Sequence, residues 1–391
     1  MNGSIPGAER AIECAPDGLP AIRARLGAPG NPLLFPPHFL ESALPKIGGH
    51  TLAIERDGQP AAYAFLFPRG LRAYTVRWHP ISEIEESQIL PLVARHFPDA
   101  NLTLYDPRAP QPYQKTEIFT DDNGFRYGRP DETEAIAARD LQRTIWKPAN
   151  DDGLYPCDLY STSFGAATAL VARTDEGAAG FLFGFYKFGG PPLPRVLQQY
   201  DHGLRIESQV AGVDPRHQGK NIGFHLKRLQ GEQARREGID IVNWTVDPLQ
   251  FNNARLNFKK LRAVSFRFLP GHYALKSDQN RTRASRLEIS WLPPLAGDSA
   301  ETLDLETMPD VAIVNDGPRA IPFAPEAARI AIEIPRDWTA LQKQDLSEAE
   351  RWRDATDEIL ARWVGPEEGR FMITDVGVKG ERPYLIARRV A

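Results

Sequence analysis

Apolar-rich stretches at 51–55 and 61–67 flank the polar run Arg56-Asp57-Gly58-Gln59, a pattern that predicts two strands joined by a turn. A third apolar stretch at 73–78 predicts another strand. Residues 87–97 carry Ile89, Leu92, Val93 and His96 on one helical face, and 101–105 reads as a strand. Before this block, residues 1–35 are rich in Gly, Pro and Ala and predict little regular structure beyond a short helix near 19–26. After it, three prolines within 106–113 break the pattern.

A second block begins near Gly128. Residues 132–146 predict a helix, with Ala137, Leu141 and Ile145 at four-residue spacing. Strands are predicted at 167–173 and 178–188, joined by the turn Thr174-Asp175-Glu176-Gly177, and again at 204–213. A helix over 222–238 stops at a glycine, the usual helix terminator. A β-branched strand at 239–246, a helix at 252–261 and strands at 264–269 and 286–291 complete the block. From about residue 295 a Pro- and acid-rich linker leads to a strand at 330–334, a helix at 347–363 and a hairpin of 370–378 with 384–389. The two blocks share the order strand-turn-strand, strand, helix, strand. Two copies of one fold would produce this repetition, and so would two unrelated α/β units. The predicted division is an N-terminal domain at 1–126, a central domain at 127–293, and a linker with a C-terminal α/β extension at 294–391.

Composition narrows the classes. The 391 residues are 42% hydrophobic and 25% charged, with a formal net charge of −4. That is a globular composition with no overall basic field to attract nucleic acid or an anionic membrane. Cys14 and Cys157 form no CxxC pair, so a zinc site or a disulfide framework is not expected. No apolar run spans a bilayer, and the start MNGSIPGAERAIEC lacks the pattern of a signal peptide. The cytoplasm is therefore the expected setting, with no metal.

The chemistry concentrates at 210–223, V-A-G-V-D-P-R-H-Q-G-K-N-I-G. A strand runs into Asp214-Pro215, then a small-residue loop, then a helix. Backbone N–H groups of such a loop and of the first helical turn converge on anionic oxygens. Glycine or asparagine at the turn positions admits positive φ. Arg216, His217 and Lys220 add positive charge. By spacing alone, a structural turn explains the loop better than a diphosphate site does.

Gln218-Gly219-Lys220-Asn221-Ile222-Gly223 resembles the Q/R-x-x-G-x-G/A loop of the GNAT superfamily of N-acetyltransferases. Ala211-Gly212-Val213-Asp214-Pro215 resembles the end of that family's fourth strand, 239–246 its fifth strand, and Asn253-Ala254 with Phe258 its fourth helix. The resemblance covers 127–293, and more narrowly is to a bacterial group with a long C-terminal extension. It implies an α/β (α+β) fold with a mixed, mostly antiparallel central sheet flanked by helices, in one unit or in two in tandem.

The same resemblance implies transfer of an acyl group from acetyl-CoA, or another acyl-CoA, to an amine of a small molecule. Ala211, Gly212 and Val213 would bond the pantetheine arm, one of them polarising the thioester carbonyl. Gln218, Gly219, Lys220, Asn221, Ile222 and Gly223 would hold the diphosphate. Asn253 would bond pantetheine or cap its helix. Glu207, eleven residues before Gln218, is the leading general base, and by alternation Glu207, Gln209 and Ala211 share a sheet face. Its alternative is a pairing with a nearby arginine or a merely half-exposed position. Asp247 is the next carboxylate, with a turn or capping role as its alternative.

Asn221 stands where the family has its second glycine, and Arg262 replaces another. Phe258 stands where many members have a tyrosine that protonates the leaving thiolate. Tyr273 or His272 could serve instead, or solvent. Trp244 is expected in the core and His225 on a solvent-facing helix surface. The first block has Glu83, Glu85 and Glu86 in place of the loop, which would repel a diphosphate. Ala349, Trp352, Ile359 and Trp363 form a docking face on the C-terminal helix. The reading involves no nucleic acid or membrane and admits a homodimer. An enzyme using charged tRNA is disfavoured by the absence of a basic stripe. A CoA-binding protein without transfer activity remains the alternative.

Overall fold

The computed structural model describes residues 9–15, 18–27, 34–36, 38–147, 153–273, 281–293, 301–323 and 326–391. They belong to two compact units, one made of Met1–Gly190 with Gly203–Leu226, the other of Pro191–His202 with Lys227–Ala391.

The first unit opens with β1 (Arg10–Glu13), α1 (Leu19–Arg25) and a π-helical turn Phe39–Ala43 that continues into α2 (Leu44–Lys46). Then come β2 (His50–Arg56), β3 (Gln59–Gly70), β4 (Ala73–Pro80), α3 (Glu86–His96) and β5 (Asn101–Tyr105). They build a five-stranded sheet in the order β1-β2-β3-β4-β5. Asp57 (φ 53°) and Gly58 (φ 76°) make the tight β2–β3 turn, since two successive positive-φ residues match the twist of a hairpin. β4 and β5 are parallel, which requires a crossover, and α3 supplies it.

A second sheet follows in the same unit: β6 (Phe119–Thr120), β7 (Arg126–Gly128), α4 (Glu132–Trp146), β8 (Thr168–Thr174), β9 (Gly177–Phe188) and β10 (Leu204–Val213). The strands are antiparallel in sequence order. α4 starts at a capping box: Asp131 accepts from Glu134 N, and Glu134 accepts from Asp131 N. Ala135, Ala138 and Leu141 of α4 share a core with Phe181, Phe183 and Phe185 on one face of β9. α5 (Ile222–Arg236) begins on the opposite face, where Ile222 and Leu226 lie over Gly180.

The second unit holds β11 (Val242–Val246), α6 (Phe251–Ala254) with the π turn Arg255–Lys260, β12 (Val264–Tyr273) and β13 (Ala284–Trp291). After them come β14 (Leu303–Asp304), β15 (Val311–Ile313), β16 (Asn315–Asp316), β17 (Arg319–Ala320) and β18 (Arg329–Glu333). α7 (Trp338–Gln344), α8 (Leu346–Trp363), β19 (Phe371–Lys379) and β20 (Arg382–Arg389) end the chain. The strand order is β15-β18-β20-β19-β12-β13-β11. No helix among the described residues is long and apolar enough to cross a membrane.

The predicted stretches 1–126, 127–293 and 294–391 are not these compact units. Ser265 of β12 pairs with Ile373 of β19, so the sheet runs on past residue 293. α8 docks as its apolar face suggested: Ala349, Trp352 and Ile359 are buried, and Trp363 packs edge-on to Phe323 and Phe371. β1 is a strand where none was predicted.

Candidate functional site

The loop from β10 to α5 is tied at its start and strained in its middle. Asp214 accepts from Arg216 N at 2.9 Å, and the Arg216 guanidinium bonds the same carboxylate at 2.7 Å. These bonds hold the Asp214 carboxyl below the usual carboxylate range, Arg216 being the main cause. Gly219 (φ 81°) and Asn221 (φ 62°) then take the left-handed conformation that glycine adopts freely and asparagine tolerates. α5 begins directly after Asn221. The first N–H groups of a helix have no partner within it and carry the positive end of its dipole.

Packing fixes where that helix start lies. A Cβ on Gly180 would come within 2.9 Å of Ile222 Cγ2 and 3.1 Å of Gly212 O. The bare glycine of β9 therefore lets α5 settle close to the sheet. On the other face, a Cβ on Gly212 would meet Ile145 Cδ1 at 2.7 Å and Phe181 Cζ at 2.8 Å. Lys220 Nζ lies 5.6 Å from the Phe125 ring centre, and His217 packs edge-on to the same ring. His225 does not face solvent as expected. It packs between Phe119 and Tyr127, with Nε2 3.8 Å from Asp121 Oδ2, because the β6–β7 hairpin covers that side of α5.

β10 carries a bulge between Glu207 and Val210, where its register on β9 slips. Glu207 is opposite Phe185 and Val210 opposite Phe183, whereas Ala211 is opposite Leu182. The alternation expected for Glu207, Gln209 and Ala211 is therefore broken, and Glu207 and Ala211 are on opposite faces. Glu207 is 4% exposed. Its carboxylate bonds Lys46 Nζ at 2.8 Å and Lys187 Nζ at 2.9 Å. Burial pushes this carboxyl up, but the two ammonium groups outweigh it and hold it down at about 2. A carboxylate held that low keeps its charge and is a weak proton acceptor near neutral pH. The pairing favours the alternative reading, an anion that holds Lys46 and Lys187 in place. Lys46 is 161 residues away in sequence, and no local pattern announces it.

The remaining candidates belong to the second unit. Asn253 is exposed on α6, and Phe258 is buried in the π turn that follows. Tyr273 Oη is 3.2 Å from Thr245 Oγ1, its ring packs edge-on to His272, and the Arg286 guanidinium lies over it at 5.1 Å. Asp247 accepts from Leu249 N at 3.0 Å, from Trp338 Nε1 at 3.2 Å and from Arg353 Nη2 at 2.7 Å. These bonds make it a turn-and-anchor residue that fastens α7 and α8. Trp244 is buried, with Nε1 donating to Asn257 and Lys227 Nζ 3.6 Å from its ring centre.

No family model matches the chain, and no curated protein does. Among solved structures it is similar to the ribosomal-protein-S18-alanine N-acetyltransferase of Escherichia coli, with 12% identity and a TM-score of 0.32, over 45% of this chain and 97% of that one. It is similar also to Arabidopsis thaliana NAA60 in complex with a bisubstrate analogue, with 15% identity and a TM-score of 0.36, over 43% and 97%. Chaetomium thermophilum Naa20, likewise with a bisubstrate analogue, is a third, with 16% identity and a TM-score of 0.32, over 43% and 85%. Each of these likenesses covers less than half of this chain.

Proposed function

We propose that this chain binds acyl-CoA, in the first instance acetyl-CoA, and transfers the acyl group to an amine of a small molecule, with 127–293 as the transfer unit. One observation carries the proposal: two positive-φ residues, Gly219 and Asn221, immediately precede the start of α5, which is seated on Gly180. Backbone N–H groups at such a helix start are the kind of donors a diphosphate needs. Gln218, Gly219, Lys220, Asn221, Ile222 and Gly223 hold the diphosphate, and Ala211, Gly212 and Val213 take the pantetheine. Asn253 is proposed to bond pantetheine, and Tyr273 to pass a proton on to the leaving thiolate, which Phe258 cannot do. The setting is the cytoplasm, and a homodimer is compatible with the proposal.

Calorimetry with CoA and acetyl-CoA tests the first half, and thiol release from acetyl-CoA in the presence of amino acids, polyamines and short peptides tests the second. Absence of CoA binding overturns the loop assignment. The buried Phe258 and the tightly paired Glu207 favour one second reading, a protein that binds acyl-CoA without transferring it. Tight binding with no thiol release across the amines would establish that reading.

A further inference from the structure

Resting on the acyl-transfer reading, the proton acceptor of the reaction is open once Glu207 is paired with two lysines. Beside the β10 bulge a second polar group comes to the strand. Gln209, half-buried within the bulge, donates from Nε2 to Tyr155 Oη at 2.8 Å. Tyr155 Oη in turn stands 3.4 Å from His38 Nε2. The three residues come from β10, from the segment after α4 and from the residue that opens the Phe39–Ala43 turn, 171 positions apart at the extremes, and all belong to the first unit.

The chain of contacts is held rigidly. Tyr155 N donates to Gln142 Oε1 of α4 at 2.8 Å, and the tyrosine ring lies edge-on to Phe39 at 5.7 Å. Burial lowers the His38 titration below that of an ordinary imidazole. His38 is therefore neutral near pH 7, and its Nε2 can accept the Tyr155 proton. With its own proton directed at His38, the Tyr155 oxygen accepts from an N–H donor on its other side. Gln209 fills that place now. The charged side chains of neighbouring elements are taken up elsewhere: Lys46 and Lys187 both bond Glu207, and Arg77 bonds Asp158.

We infer that the Tyr155 hydroxyl, backed by His38, receives the proton of the acceptor ammonium, which takes the place of the Gln209 amide on the Tyr155 oxygen. The ammonium gives one proton to Tyr155 Oη as Tyr155 passes its own to His38 Nε2. The freed nitrogen lone pair forms the C–N bond, and the C–S bond breaks with its electron pair going to sulfur. The second proton shed by nitrogen goes to that thiolate, leaving amide, CoA thiol and a protonated His38. Tyr155 touches the substrate in this scheme, and His38 acts through it.

The test uses the full chain, with Tyr155→Phe and His38→Gln. Phenylalanine keeps the ring packing on Phe39, and thermal melts identify any variant that fails to fold. CoA affinity is measured by calorimetry, and turnover by thiol release from acetyl-CoA with amino acids, polyamines and short peptides across pH. The expected result is CoA affinity within about twofold of the parent and a kcat lower by about a hundredfold, the usual scale of general-base loss. The acid limb of the pH profile should vanish in both variants, and the double variant should be no worse than either single one. Folded variants with parental turnover and an unchanged acid limb overturn the relay while leaving the CoA site standing. A parent chain that binds CoA but releases no thiol overturns transfer and relay together, and one that binds no CoA overturns the loop assignment itself.

Discussion

Two strand-to-helix passages of the first unit, β4 to α3 and β10 to α5, treat the start of the helix in opposite ways. At α3 the chain's own acids and amides fill the entrance. Gln88 Oε1 accepts from Glu85 N at 3.1 Å, Gln88 Nε2 donates to the Glu9 carboxylate at 3.0 Å, and Arg56 bonds both Glu9 and the Glu83 carbonyl. At α5 no acidic side chain stands in the first turn, and the entrance is made of backbone held at positive φ. One topology thus yields an internally capped helix start in one place and, in the other, a start with no acid in its first turn, the place proposed for the diphosphate. The strands hold different buried ion pairs as well. β4 carries Arg77, paired with Asp158 and touching His79, while β10 carries Glu207, paired with two lysines.

The comparison can be broken most forcefully at the buried charges. Glu207→Gln leaves the buried Lys187 and the partly exposed Lys46 against a neutral amide, and a loss of about 3 kcal/mol or more in denaturant unfolding is expected. Because the native carboxyl is held down at about 2 against 4.5 in the unfolded chain, its stabilisation is complete above about pH 4.5 and disappears as pH falls towards 2. The stability gap between parent and variant should close over that acid window. A variant of full stability with lost turnover would instead restore Glu207 as the base.

The next effect in size is on the loop. Gly223→Asp places a carboxylate in the first turn of α5, as the sequence already does at α3 with Glu86. CoA affinity should fall by about a hundredfold or more, with little cost in stability, since acids favour helix starts; calorimetry and a melt measure the two. Asn221→Ala forces an ordinary side chain into positive φ at about 1 kcal/mol, so CoA should bind roughly fivefold more weakly, whereas Asn221→Gly should bind no more weakly than the parent. Smallest is Gln88→Ala at α3. It should cost about 1 kcal/mol of stability, seen as a fall of a few degrees in Tm, and leave CoA binding unchanged. A change in CoA affinity there would mean that the two entrances are not separate in role.

Legibility in the sequence followed the range of the interactions. The strands and helices around the loop could be read because each announces itself locally: Asp57-Gly58 as a turn, Asp131 and Glu134 as a capping box, and Gly238 just past the end of α5. β1 could not, because four residues in a Gly- and Pro-rich stretch become a strand only by pairing with β2. The Phe39–Ala43 turn and α7 were missed for the same reason, being short and held by tertiary packing. The loop was legible as backbone chemistry, since Gly and Asn at turn positions declare their φ. Glu207 was legible as a carboxylate on the right strand but not as half of an ion pair, because Lys46 reaches it from far along the chain. The bulge in β10 was hidden too, and with it the loss of the alternation assumed for Gln209 and Ala211. Tyr155 and His38 have no sequence signal in common, since only the fold sets them side by side.

Gly180 acts as a depth gauge. The height of α5 above the sheet is set by a missing methyl group on a strand forty-odd residues upstream, so the distance from the helix entrance to whatever rests on it can be adjusted without touching the loop. A series of small residues at 180 would raise Ile222 by fractions of an ångström, and CoA affinity across the series would gauge the proposed diphosphate seat by elevation alone, with every loop residue unchanged.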